Sequence, residues 1–179
     1  MSHARRQFLR LIALSAVALG SPTRATQERI VSRYSSTAQR KSLSFEEDRG
    51  EGGGGFCGLF AGFGGYTLEH LAGDERSWIN VKFGNDTVDL YESTMRIGGG
   101  TFPHKANDVV EWRGVNKDGW FTPYALIYRL KAGNDETRKW HTRLIVIELD
   151  WERSAIVGYA EGPNEELKAR QIADRARPR

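Results

Sequence analysis

From Tyr66 onward, apolar and polar residues alternate in short runs, the period-two pattern of strands that lay one face on a core. Tyr66-Thr67-Leu68-Glu69-His70-Leu71 and Trp78-Ile79-Asn80-Val81-Lys82-Phe83 both follow it, and Gly84-Asn85-Asp86 supplies turn chemistry before a further run at Thr87-Val88-Asp89-Leu90-Tyr91. A loop with Gly98-Gly99-Gly100 and Pro103 comes next. Val109-Val110-Glu111-Trp112-Arg113 and residues 121–130 then flank Asn116-Lys117-Asp118-Gly119, whose Asp-Gly step favours the positive φ angles of a tight hairpin. A second turn at Gly133-Asn134-Asp135 leads into residues 140–149. Their centre, Leu144-Ile145-Val146-Ile147, is apolar on both faces and predicts a central strand. Residues 154–159 predict the strand that closes the sheet.

The end of the chain switches to a helical pattern over residues 164–176. Asn164 follows Gly162-Pro163 as N-cap, Glu165 and Glu166 fall in the first turn, and Arg170, Arg175 and Arg177 lie toward the C-terminus, where they complement the helix dipole. Glu166 and Arg170 form an i,i+4 pair. Leu167, Ala169, Ile172, Ala173 and Ala176 make a thin apolar face that leans on the sheet. The expected architecture is an α+β domain over residues 42–179, an antiparallel meander of about six to eight strands with one C-terminal helix.

Upstream of this pattern the chain is less regular. Residues 26–41 are polar and read as partly ordered, with a strand candidate at 29–34. Residues 42–46 alternate as a half-buried strand does. Residues 50–65 contain nine Gly in sixteen positions. The first half of this Gly-rich loop reads as flexible; the second, bearing Phe56, Phe60 and Phe63, reads as packed.

Residues 1–25 read as an export signal. They hold Arg5, Arg6, Arg10 and Arg24 without an acid, followed by a short apolar run over 11–20. Ala4-Arg5-Arg6-Gln7-Phe8-Leu9-Arg10 resembles the twin-arginine signal, with Ala4 and Arg10 where Ser or Thr and Lys are usual. Thr23-Arg24-Ala25 predicts cleavage at Ala25. The apolar run is too short for a stable membrane span, so the precursor's expected partner is the export machinery and its destination the periplasm or the exterior.

The leader changes the charge argument. The whole chain carries 26 Lys and Arg against 23 Asp and Glu, a net +3, and without the leader's four bases 22 stand against 23. A mature chain near −1 lacks the cationic surface that polyphosphate binding needs, so nucleic acid is not an expected partner. The whole chain's 179 residues suit one domain.

Gly62-Phe63-Gly64-Gly65-Tyr66, Val110-Glu111-Trp112-Arg113, the stretch 120–129 with Pro123, Ala125 and Ile127, and Gly158-Tyr159 together resemble a family of small secreted proteobacterial proteins of unknown function. The similarity spans roughly residues 34–174. It implies an exported, cofactor-free β-rich domain with a trailing helix, and no activity comes with it. Relatives often carry several cysteines; at the matching positions this chain has Leu43, Phe60 and Ala155, so their disulfides are absent here.

Candidate chemistry is sparse. Cys57 is the only cysteine and lies between apolar neighbours, as an inert thiol, as a thiol paired between chains, or as a nucleophile served by a distant His. Gly53, Gly55 and Gly58 spell GxGxxG without the helix that a dinucleotide site requires. His70, His104 and His141 stand 34 and 37 residues apart, which is not metal-site spacing, and no metal or cofactor is expected. Glu148 and Asp150 share a strand face, as a carboxylate pair or as solvated strand-end charges. The mature chain's five Trp are core or ligand-stacking residues, with Trp120 and Trp151 the ones expected to be exposed. The candidate ligand-facing residues are Phe56, Cys57, Phe60, Trp120 and Trp151. Two functions stay open: a non-catalytic envelope binding or accessory module acting on an envelope component or protein partner, and a small periplasmic hydrolase or thiol enzyme using Cys57.

Overall fold

A computed structural model describes residues 28–48, 54–99, 102–134, 137 and 139–178. The export-signal residues Arg5, Arg6, Phe8, Leu9 and Arg10, the cleavage position Ala25, and Arg49 with residues 50–53 of the Gly-rich stretch, Gly53 included, lie outside them.

The described residues form ten strands in two antiparallel five-stranded sheets, with two helices. The first sheet holds β1 (Arg29–Ser36), β7 (His104–Lys117), β8 (Trp120–Asn134), β9 (Lys139–Glu148) and β10 (Ala155–Ala160), in that spatial order. The second holds β2 (Ser42–Asp48), β3 (Gly55–Ala61), β4 (Tyr66–Gly73), β5 (Arg76–Phe83) and β6 (Asp86–Val88), also in order. Helix α1 (Tyr91–Gly98) joins the sheets and α2 (Glu165–Arg175) ends the chain. No helix among the described residues is long and apolar enough to cross a membrane.

The antiparallel sheets and the C-terminal helix agree with the sequence pattern, but a single meander of six to eight strands does not. After β1 the chain turns through a short 3-10 turn, Gln39–Lys41, and enters the other sheet, so the polar segment before residue 42 carries an edge strand paired with β7 from Arg29↔Asn116 to Ser36↔Val109. The second half of the Gly-rich loop is β3, paired on both sides by β2 and β4. One face of each sheet feeds a shared core: Phe60, Leu68, Ile79 and Val81 from one, Trp112, Leu126, Tyr128, Ile145 and Ile147 from the other. Each such side chain contributes about 1.5–3 kcal/mol through the apolar surface it removes from water.

The hairpin between β7 and β8 forms as its Asp-Gly step predicts. Lys117 pairs with Trp120, leaving Asp118 and Gly119 at φ 52° and 84°, the left-handed geometry of a two-residue turn. Helix α1 is a departure, since alternation over residues 87–91 predicts a strand. The strand stops at Val88, and Asp89 turns the chain by accepting the Tyr91 N–H at 2.9 Å. Asn80 accepts the Leu90 N–H at 2.9 Å, and Thr94 bonds back to the Leu90 carbonyl at 2.8 Å. Gly99 ends the helix at φ 66°.

Strand β9 is buried on both faces, as its apolar run predicts, because the facing sheet covers one side and α2 the other. Ala169 and Ala173 let α2 sit close on Ala125, Val146 and Ala160. Ion pairs fix the helix in register. Arg113 grips Asp174 through two bonds of 3.0 and 2.7 Å, the Tyr124 hydroxyl donates to Asp174 at 2.6 Å, and Arg170 grips Glu111 at 2.7 and 3.1 Å. Burial pulls the Asp174 carboxyl up, but the bonds from Arg113 and Tyr124 prevail and hold it below its ordinary range. The expected Glu166–Arg170 pair is therefore replaced: Arg170 turns to the sheet, and Glu166 meets Arg129 at 3.0 Å. Asn164 holds the N-cap position at φ 60° without a side-chain capping bond.

Candidate functional site

Strand alternation decides where each sequence-predicted site residue points. On β3, Phe56, Gly58 and Phe60 share the face that looks between the sheets, while Cys57 looks away. Phe60 is fully buried in the core beside Leu68, so it faces no ligand, contrary to expectation. Phe56 lies at the open end of the same row, half-buried, its ring stacked on Phe45 at 5.2 Å and edge-on to His70 at 4.7 Å. Trp120 is 80% exposed at the tip of the β7–β8 hairpin, and Trp151 is 64% exposed in a 3-10 turn, Trp151–Arg153, stacked on Phe83 at 6.0 Å. Neither tryptophan lines the cleft described next.

The cleft, of about 340 Å³, opens where β4 ends and β5 and β7 begin. Phe56, His70 and Ser77 line it from the second sheet, Arg76 stands at its side, and His104 and Lys105 approach from the first. The reasons are local. The turn after β4 places Asp74 and Glu75 at positive φ, 49° and 60°, and brings Arg76 back over the strand end. The Arg76 guanidinium lies on the Phe102 ring at 4.5 Å and pairs with Asp74. The Lys105 N–H donates to the Ser77 hydroxyl at 2.8 Å, tying the sheets together, and its ammonium is held by Asp108 at 2.6 Å. His104 sits edge-on to Trp140 at 5.8 Å.

His70 is the informative group. It is 6% exposed, and its Nε2 is buried with no hydrogen-bond partner among the described residues. Burial pushes its pKa down to about 3, helped by the Lys105 ammonium and opposed by the Asp108 carboxylate, so at neutral pH the ring is uncharged, with one donor and one acceptor. In the sequence His70 stands out only as one of three well-separated histidines, a weak metal-ligand or distant-base candidate. Its signal was its place in line with Tyr66 and Leu68 on the apolar face of β4. Arg76 and Lys105 carried no comparable signal, because only the turn and the strand pairing bring them there.

Phe56 separates this cleft from a second hollow of about 550 Å³ lined by Glu46, Glu47 and Cys57. Cys57 and His70 are near neighbours in pairing but lie on opposite faces, since Cys57 is opposite Leu71 and Gly58 is opposite His70. Burial raises the Cys57 pKa, and the Glu69 and Glu46 carboxylates raise it further. A thiol held protonated in this way should react with iodoacetamide at pH 7.5 about tenfold slower than free N-acetylcysteine, with the rate still climbing above pH 9. Alkylation as fast as the free thiol would mean that the thiolate is stabilised after all. A third cavity, about 240 Å³, lies beside α2, where Glu111, Arg129 and Arg170 are already spent on the ion pairs that dock the helix. Asp150 pairs with Arg153 at 2.9 Å, the strand-end arrangement of a solvated charge. Among the described residues no three His, Cys, Asp or Glu side chains cluster as metal ligands would.

Fold and site together define an antiparallel β-sandwich with a polar cleft at one open end. No protein-family model, curated protein or solved structure matches the chain.

Proposed function

We propose that the protein is an exported, non-catalytic binding module of the bacterial envelope and that its ligand seats in the cleft between Phe56, His70 and Arg76. The observation that carries the reading is His70, a neutral ring on a cleft wall whose hydrogen bonding the protein leaves incomplete. The walls are strand ends and one tight turn, held by the Ser77–Lys105 and Lys105–Asp108 bonds, so the cleft is formed before any ligand arrives. Export rests on the leader, with its paired arginines and short apolar run. The thiol enzyme is the weaker reading because Cys57 faces away from His70 and its pKa is raised.

Ligand-observed NMR of envelope-extract fractions tests the binding half. Signals should broaden with the native mature chain and stay sharp with Phe56→Ala; sharp signals with both proteins in every fraction would reject it. For the export half, changing Arg5 and Arg6 to Lys should leave the precursor in the cytoplasm. Mature protein that still appears outside and disappears when the general secretion route is blocked would overturn the twin-arginine assignment.

A further inference from the structure

We infer that the cleft takes a neutral carbohydrate ring, an inference that rests on the binding-module reading and names the ligand class for the same site. The first support is size. A cleft of about 340 Å³ lies at the small end of ligand sites and admits one compact ring rather than an extended cofactor.

The second support is the mixture of charges. Arg76 and Lys105 line the cleft together with Glu75, and each cation is already paired, Arg76 with Asp74 and Lys105 with Asp108. An anionic ligand would meet Glu75 and find both cations already paired, and a cationic one would meet a guanidinium and an ammonium. A sugar hydroxyl both donates and accepts, so adjacent hydroxyls can answer a guanidinium, a carboxylate and a neutral imidazole at once without importing charge. Most of these groups are planar and hold their hydrogen-bonding atoms in fixed directions, which suits hydroxyls set at fixed angles on a ring.

The third support is the pairing of an apolar ring with an unsatisfied polar one. Phe56 borders both hollows and is only half-buried, and its remaining exposed surface would meet the C–H face of a sugar. His70 lies 4.7 Å away, edge to face, with Nε2 unpartnered.

The test uses the mature native chain on an array of mono- to tetrasaccharides, followed by NMR titration of ¹⁵N-histidine-labelled protein with the methyl glycoside of the retained sugar. The His70 ring signals should shift saturably. Arg76→Gln and Phe56→Ala should each weaken binding about tenfold, the loss expected for one charge-assisted bond or one ring contact, while Trp120→Ala and Trp151→Ala bind as the native chain does. Urea melts of each variant establish that it is folded. Retention that depends on Trp120 or Trp151 and leaves His70 unshifted would overturn the inference. Benzoate and benzylammonium separate the two levels of the claim: if either shifts His70 saturably and no glycoside does, the sugar assignment falls and the binding cleft stands. If no probe shifts His70, both fall.

Discussion

Between pH 6.5 and pH 4.5 the folded protein should lose about 2–3 kcal/mol of stability through His70 alone. In the unfolded chain the imidazole titrates near 6.5, whereas in the fold burial and the Lys105 ammonium push it to about 3 against the opposing Asp108 carboxylate. Across that window the unfolded state binds a proton that the folded state refuses. The depressed pKa therefore contributes stability that is present above pH 6.5 and lost as pH falls toward 3, by about 1.4 kcal/mol per unit. Urea unfolding of the native chain and of His70→Gln, from pH 4 to pH 8, isolates the effect. The difference between the two stabilities should be flat above pH 7 and slope below it, and a pH-independent difference would mean that His70 titrates normally and lies open to water.

The same residue shows what the sequence could reveal. Period-two alternation placed β4 and β5, the Asp-Gly step placed β8 and a run apolar on both faces placed β9, because a strand with one or two apolar faces writes its burial into its residue order. That pattern also put His70 on an apolar face, yet a lone His in such a row reads as a surface or hydrogen-bonded residue. Its missing partner belongs to the packing of Phe56 and Lys105 around it, which residue order does not carry. Two further features escaped for definite reasons. Helix α1 is only eight residues long and begins with a polar turn, and its start depends on Asn80, ten residues upstream of the Leu90 N–H it accepts. The division into two sheets hangs on the 3-10 turn after β1, where Gln39–Lys41 has no apolar pattern to announce it.

The second half of the Gly-rich stretch is packed, as its aromatic residues predict. Glycine density suggests conformational freedom, but within β3 and the turn after it glycine answers the opposite need, close approach. A Cβ on Gly55 would lie 2.6 Å from the Ala72 carbonyl oxygen, and one on Gly58 would meet the rings of Phe60 at 2.7 Å and Phe45 at 3.0 Å. Small residues here let aromatic side chains fold over the backbone. That is how a strand with few side chains of its own still borders both the core and the cleft.

Gly62→Ala is the sharpest test of that account and should cost about 2–3 kcal/mol, the upper part of the range for overpacking. Gly62 donates its N–H to the Tyr66 carbonyl at 3.1 Å to close the turn between β3 and β4, and its φ lies outside the left-handed region, so no backbone strain enters. The whole penalty is steric. A Cβ would sit 2.7 Å from the Tyr66 carbonyl oxygen and 2.6 Å from Cζ2 of Trp112. Neither neighbour can yield. The carbonyl is fixed by the turn, and the Trp112 ring is fully buried, bonded through Nε1 to the Ser35 hydroxyl at 2.9 Å and pressed edge-on by Phe63 at 5.7 Å. Moving Trp112 would pull on β1 through Ser35 and open the core between the sheets. Gly73→Ala supplies the contrast, since nothing lies within 4 Å of its added Cβ and its φ is also outside the left-handed region. That change should be neutral or stabilising by up to about 1 kcal/mol, because alanine narrows the unfolded ensemble without meeting an obstacle. Urea midpoints of the two variants measured side by side decide the matter: equal, small shifts would mean that Gly62 is not pressed between the turn and Trp112.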